Sequence, residues 1–102
     1  MDEEHSLQDH FFNWNKEKNL ANIRKHGVPF KEAATVFLDP NATLIDDDAH
    51  STKGENRYIV IGMSKKLNML MVCHCYRNDG EIVRLISART ATKAEKKLYG
   101  GE

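Results

Sequence analysis

The chain lacks most of what staples a small protein together or carries one across a membrane. Two cysteines in 102 residues are too few for a disulfide framework. Both, Cys73 and Cys75, sit in one apolar run with no second pair at matching spacing, so no zinc site is indicated. On a strand they share one face with His74 opposite, and buried thiols are the expected state. Proline and glycine are scarce, and no repeat or low-complexity segment is present. No apolar run approaches membrane-spanning length. Met1-Asp-Glu-Glu-His has neither the basic nor the apolar region of a signal peptide, so a cytoplasmic protein without membrane association is expected. The glycine-rich phosphate loop, Gly-x-Ser-x-Gly and His-Glu-x-x-His are all missing, and neither cofactor nor metal is expected.

Net charge is also missing, since 15 Lys and Arg balance 15 Asp and Glu. A neutral sum argues against a strongly basic nucleic-acid binder, but the charge is unevenly spread. Residues 1–50 carry 5 basic and 10 acidic groups, and residues 51–102 carry 10 and 5. A chain polarised in this way can present a basic face despite its neutral total. Its length suits one domain with its own core. Residues 1–10 read as a flexible acidic extension and 11–102 as the single folded domain.

Asn15 is a good N-cap for a helix through Lys16, Leu20, Ile23 and Lys25, which Gly27 ends. Leu20, Ala21 and Ile23 form its thin apolar side. A second helix carries Phe30, Ala33, Ala34 and Phe37 on one stripe, with Lys31 and Glu32 outward. Strand signals follow at Ala42–Ile45, Arg57–Ser64, Leu67–Tyr76 and Ile82–Ala88. The last two join through an Asn78-Asp79-Gly80 hairpin turn. A short helix from Thr92 to Tyr99 closes the chain. Two N-terminal helices packed on a small antiparallel sheet, with a short C-terminal helix, give an α+β fold.

The stretch from Glu81 to Glu95 organises the chain. It begins as a strand with Ile82, Val83, Leu85 and Ile86, and ends in a capping box at Thr92 and Glu95. Arg84 lies inside the apolar run and Arg89 at its end. Such arginines either pair with a carboxylate, such as Glu55 or Glu81, or hold an anionic ligand. In a regular strand the two have opposite parity and reach one site only if the strand bulges or ends near Ser87. Lys25 and His26 suit the C-terminal end of the first helix through its dipole. Glu55 and Arg57 share a face at a strand entrance if the strand reaches that far. His74 reads as a satisfied core histidine and His50 as a solvated one. Together these groups suit a metal-free reaction, the cleavage of RNA by its own 2′-OH. That reaction needs a base, an acid and cations for a charged phosphorane.

Several segments, in order, resemble the BrnT-type toxins of bacterial toxin–antitoxin pairs. They are Phe12-Asn-Trp14, Asn22-Ile-Arg-Lys-His-Gly27, Val28-Pro-Phe30 with Ala33, Ala34 and Phe37, Gly54-Glu-x-Arg-Tyr58 before Ile61-Gly62, and Arg84-Leu-Ile-Ser-Ala-Arg89. The match spans about Phe11 to Tyr99. The resemblance implies a compact fold like the RelE ribonuclease toxins and an endoribonuclease that inhibits translation. It also implies neutralisation by a BrnA-like ribbon–helix–helix antitoxin, through which alone the toxin reaches operator DNA. Carried over by motif, the site residues are Lys25, His26, Glu55, Arg57, Arg84, Ser87 and Arg89. Thr90 stands where a basic residue is common in the family. The competing readings are a fold-relative that binds its antitoxin or RNA without cutting, and a Cys/His metal-binding protein.

Overall fold

The acidic N-terminal segment is a strand. In the computed structural model, which describes residues 1–100, β1 (Asp2–Leu7) turns at Gln8 and pairs antiparallel with β2 (His10–Asn15). The alternation that makes this work is easy to overlook in so polar a segment. Glu3 accepts from the Trp14 indole N–H at 2.7 Å, and His5 stacks beside Phe12 and Trp14. Asp2, Glu4 and Ser6 face the other way.

β2 runs into α1 (Lys16–His26), and α2 (Phe30–Thr35) follows, extended by a 3-10 turn over Val36–Leu38. The remaining strands are β3 (Thr43–Asp46), β4 (Tyr58–Met63), β5 (Met69–Arg77) and β6 (Ile82–Thr90), with α3 (Lys93–Lys96) last. They build one six-stranded sheet in the order β1-β2-β6-β5-β4-β3. The expected α+β arrangement of two leading helices on a small antiparallel sheet is therefore wrong. The chain starts with a hairpin, and the sheet is large and mixed. β2 lies parallel to β6, with Phe12 opposite Val83 and Asn13 opposite Arg84. A parallel pair needs a long crossover, and everything from α1 to β5 supplies it. Among the described residues no helix is long and apolar enough to cross a membrane.

One sheet face buries Phe12, Trp14, Val60, Leu70, Val72, Val83, Leu85 and Ala88 against Val28, Phe30, Ala33, Ala34 and Val36. The stripe expected on α2 is in place, but Phe37 is only half-buried and Val36 is fully covered. Glu32 is not outward. Its carboxylate accepts from Ser64 Oγ at 2.7 Å and Asn68 Nδ2 at 2.8 Å, fastening α2 to the β4–β5 turn. A side chain at Gly62 would meet Val36 Cγ1 at 2.7 Å, so this position admits only glycine where the 3-10 turn crosses β4.

α1 is held by a polar anchor, and the thin apolar side read from the sequence is mostly exposed. Leu20 and Ile23 are exposed, and the helix's one buried residue is Asn22. Asn22 donates to the carbonyls of Ala88 and Val28, each at 2.8 Å, and accepts from the Ala88 N–H at 3.1 Å. β2 leaves β6 after Arg84, and at Ala88 the Asn22 amide takes the place of a neighbouring strand.

Candidate active site on the distal sheet face

The sheet face away from α1 and α2 gathers most of the residues singled out by motif, and a bulge makes this possible. Along β5 and β6, Cys75 pairs with Arg84 and His74 with Leu85, but Cys73 pairs with Ser87. Ile86 has no partner. This extra residue reverses the parity of everything after it. Arg84, Ser87 and Arg89 thus lie opposite Cys75, Cys73 and Met71, alternate residues of β5 that share one face. The conflict of parity between Arg84 and Arg89 is resolved inside the strand, one residue before Ser87.

Each arginine on this face meets a carboxylate. Arg84 engages Asp2 in a two-pronged pair, Nη1–Oδ2 at 2.8 Å and Nη2–Oδ1 at 3.2 Å, and donates to Asn13 Oδ1 at 3.1 Å. Its partner is neither Glu55 nor Glu81. Arg89 forks onto Glu95 at 2.8 and 2.9 Å, and the same carboxylate closes the capping box with Thr92. Glu55 sits between two cations, accepting from Arg57 Nε at 2.9 Å and Arg77 Nη2 at 3.0 Å. These bonds, Arg57 foremost, hold its carboxyl below the usual range. Arg77 Nη1 also lies 3.1 Å from Cys75 Sγ, which ties the Glu55 group to the face of Arg84 and Ser87. Ser87 is half-buried and its hydroxyl makes no hydrogen bond among the described residues.

Lys25 and His26 stand apart from this group. They occupy the last turn of α1 and make no side-chain hydrogen bond or ion pair among the described residues. Their link to the site is Asn22, three and four residues before them on the same helical stripe, which anchors to Ala88 beside Ser87 and Arg89.

The cysteines do not supply a nucleophile. They share a face as expected, but burial, aided by the Asp47 carboxylate, pushes the Cys73 thiol up to about 11, and burial raises Cys75 as well. His74, on the other face, is fully buried against Phe37 and reaches the Tyr76 hydroxyl at 3.2 Å. Burial lowers its pKa to about 4, so it is neutral near pH 7. Among the described residues no three His, Cys, Asp or Glu side chains come together in a way that could hold a metal ion. The motifs did not point to Arg77 or Asp2. Arg77 was legible as the next same-face residue after Cys73 and Cys75. Nothing in the sequence tied Asp2 to Arg84.

The Arg89–Glu95 pair has a pH signature. The Arg89 guanidinium first, and then the Thr92 N–H, bring the Glu95 pKa from 4.5 to about 2. A carboxyl depressed on folding contributes stability that is whole above about pH 4.5 and is lost as the pH falls toward about 2. The pair is partly exposed, so we expect the loss to be about 1–2 kcal/mol. Glu95→Gln should remove this part of the acid transition in melts followed by circular dichroism. An unchanged acid profile would show that the pair contributes nothing.

Fold and face together define a small domain with a six-stranded mixed sheet, whose distal surface carries arginines paired with carboxylates beside a half-buried serine. A family model described as the ribonuclease toxin BrnT of type II toxin–antitoxin systems matches residues 14–95, and the chain belongs to that family. The crystal structure of the Brucella abortus ribonuclease toxin BrnT shares the fold, with a TM-score of 0.60 at 24% identity, covering 78% of this chain and 94% of that one. No curated protein matches the chain. As a ribonuclease toxin of a type II system, the chain has an antitoxin as its partner.

Proposed function

We propose that this toxin is a metal-independent endoribonuclease that cuts RNA on the distal sheet face, inhibits translation in the cytoplasm, and is neutralised by a BrnA-like ribbon–helix–helix antitoxin. The observation that carries this reading is the bulge at Ile86, which sets Arg84, Ser87 and Arg89 on one face beside Glu55 and Arg57. Arginines on that face bind the nonbridging oxygens of the scissile phosphate and stabilise the phosphorane. Glu55, kept ionised by Arg57 and Arg77, accepts the 2′-OH proton. Ser87 hydrogen-bonds a phosphate oxygen. The motif alone assigns the proton for the leaving 5′ oxygen to Lys25 or His26, in the last turn of α1. RNA cleaved in this way ends in a 2′,3′-cyclic phosphate and a 5′-OH. We expect purified toxin to produce these ends in EDTA at an undiminished rate. Loss of cleavage on chelation, restored by a divalent ion, would overturn the mechanism.

A further inference from the structure

We propose that Asp2 fills the phosphate subsite at Arg84, so that β1 restrains RNA binding until this carboxylate is displaced. The inference rests on the reading of Arg84 as a phosphate ligand. It goes beyond that reading in assigning β1 a function.

Asp2 meets Arg84 with both carboxylate oxygens, at 2.8 and 3.2 Å. Two oxygens on one guanidinium edge reproduce the way a phosphate binds arginine. Asn13, directly across from Arg84 on β2, holds the guanidinium from the side at 3.1 Å. Asn13 is therefore a positioning residue, and Arg84 keeps its place when Asp2 leaves. Asp2 lies outside residues 14–95, the part that the family model matches.

Asp2 is also placed to yield. Its side chain is 51% exposed against 22% for Arg84, and an ion pair so open to water is weak enough for a polyanion to compete with it. β1 is an edge strand with β2 as its sole sheet neighbour, and Asp2 is its first residue. Asp2 and Glu4 line the same side of β1 and repel an approaching phosphate backbone. Glu95 does not fit this role at Arg89, because it is committed to the capping box of α3.

The test measures binding of a fluorescein-labelled, uncleavable 2′-O-methyl oligoribonucleotide to the full chain by anisotropy at low salt. The proteins compared are the parent, Asp2→Asn, Asp2→Ala, Arg84→Ala and the double variant Asp2→Ala/Arg84→Ala. Both Asp2 variants should bind about two- to fivefold more tightly than the parent, the scale of one exposed ion pair. The gain should vanish when Arg84 is absent. Parental affinity in both Asp2 variants, with weakened binding in Arg84→Ala, overturns the restraint and leaves the site intact. The same gain with or without Arg84 also overturns it, by reducing Asp2 to general repulsion. Parental binding by Arg84→Ala overturns the site reading and the restraint with it. Asp2→Glu, which keeps the charge, should stay at parental affinity and controls for disturbance of β1.

Discussion

Replacing Arg84 or Arg89 with alanine should slow RNA cleavage by about 10²–10³-fold while the toxin stays folded and still binds its antitoxin. Asn13 steadies the Arg84 guanidinium and Glu95 that of Arg89, and neither arginine is fully buried. Lysine at either position should restore only part of the rate, because a point charge does not reproduce the planar fork. Cleavage and melting temperature need to be measured on the same preparations. A variant that unfolds would mark its arginine as structural, and parental rates in both variants would remove them from the site. The Arg89 variant also frees Glu95, so its melt should lose the acid-sensitive contribution that Glu95→Gln loses.

The largest effect on stability should come from Phe30→Ala. Phe30 is fully buried, starts α2, and meets Trp14 edge to face at a centroid separation of 5.9 Å. Its removal leaves a cavity between α2 and β2 and should cost about 3–5 kcal/mol, a large part of the stability of a domain this size. Phe37 shares the helical stripe but is only half-buried, edge-on to Phe12 and His74. Its alanine variant should lose roughly half as much. Urea denaturation separates the two. Equal losses would mean that Phe37 is as much a part of the core as Phe30, and an unchanged midpoint for Phe30→Ala would contradict the packing described.

The caps of α1 and α3 were legible because their signals are local, though α3 ends at Lys96 and not at Tyr99 as expected. Asn15, Gly27 and the Thr92–Glu95 box each act within a few residues of themselves. The hairpin from β5 to β6 was legible for the same reason, with Asn78, Asp79 and Gly80 all at positive φ. What escaped depends on partners far along the chain. β1 looks like a polar tail because its ordering comes from Trp14 and Phe12 on the next strand and from Arg84 more than 80 residues away. The parallel pairing of β2 with β6 has no local marker at all. Nothing local in the sequence marks Asn22 as the residue that caps the free edge at Ala88.

The bulge falls between these cases. The need for it was legible from the spacing of Arg84 and Arg89. Its place at Ile86 was not, since an isoleucine in an apolar run carries no bulge signature. Of the candidate residues, Glu55, Arg57, Arg84, Ser87 and Arg89 come together on one face. Lys25 and His26 do not join them and stand apart in the last turn of α1.

The claim that the bulge unites Arg84 and Arg89 in one site is tested most directly by a double-mutant cycle on single-turnover RNA cleavage, with Arg84→Ala, Arg89→Ala and the double variant. Two groups acting on one scissile phosphate should be coupled, with the double variant losing less than the product of the two single losses, by more than about 0.5 kcal/mol. Losses that simply multiply, additive in free energy to within about 0.3–0.5 kcal/mol, would place the two arginines at independent sites and contradict the account.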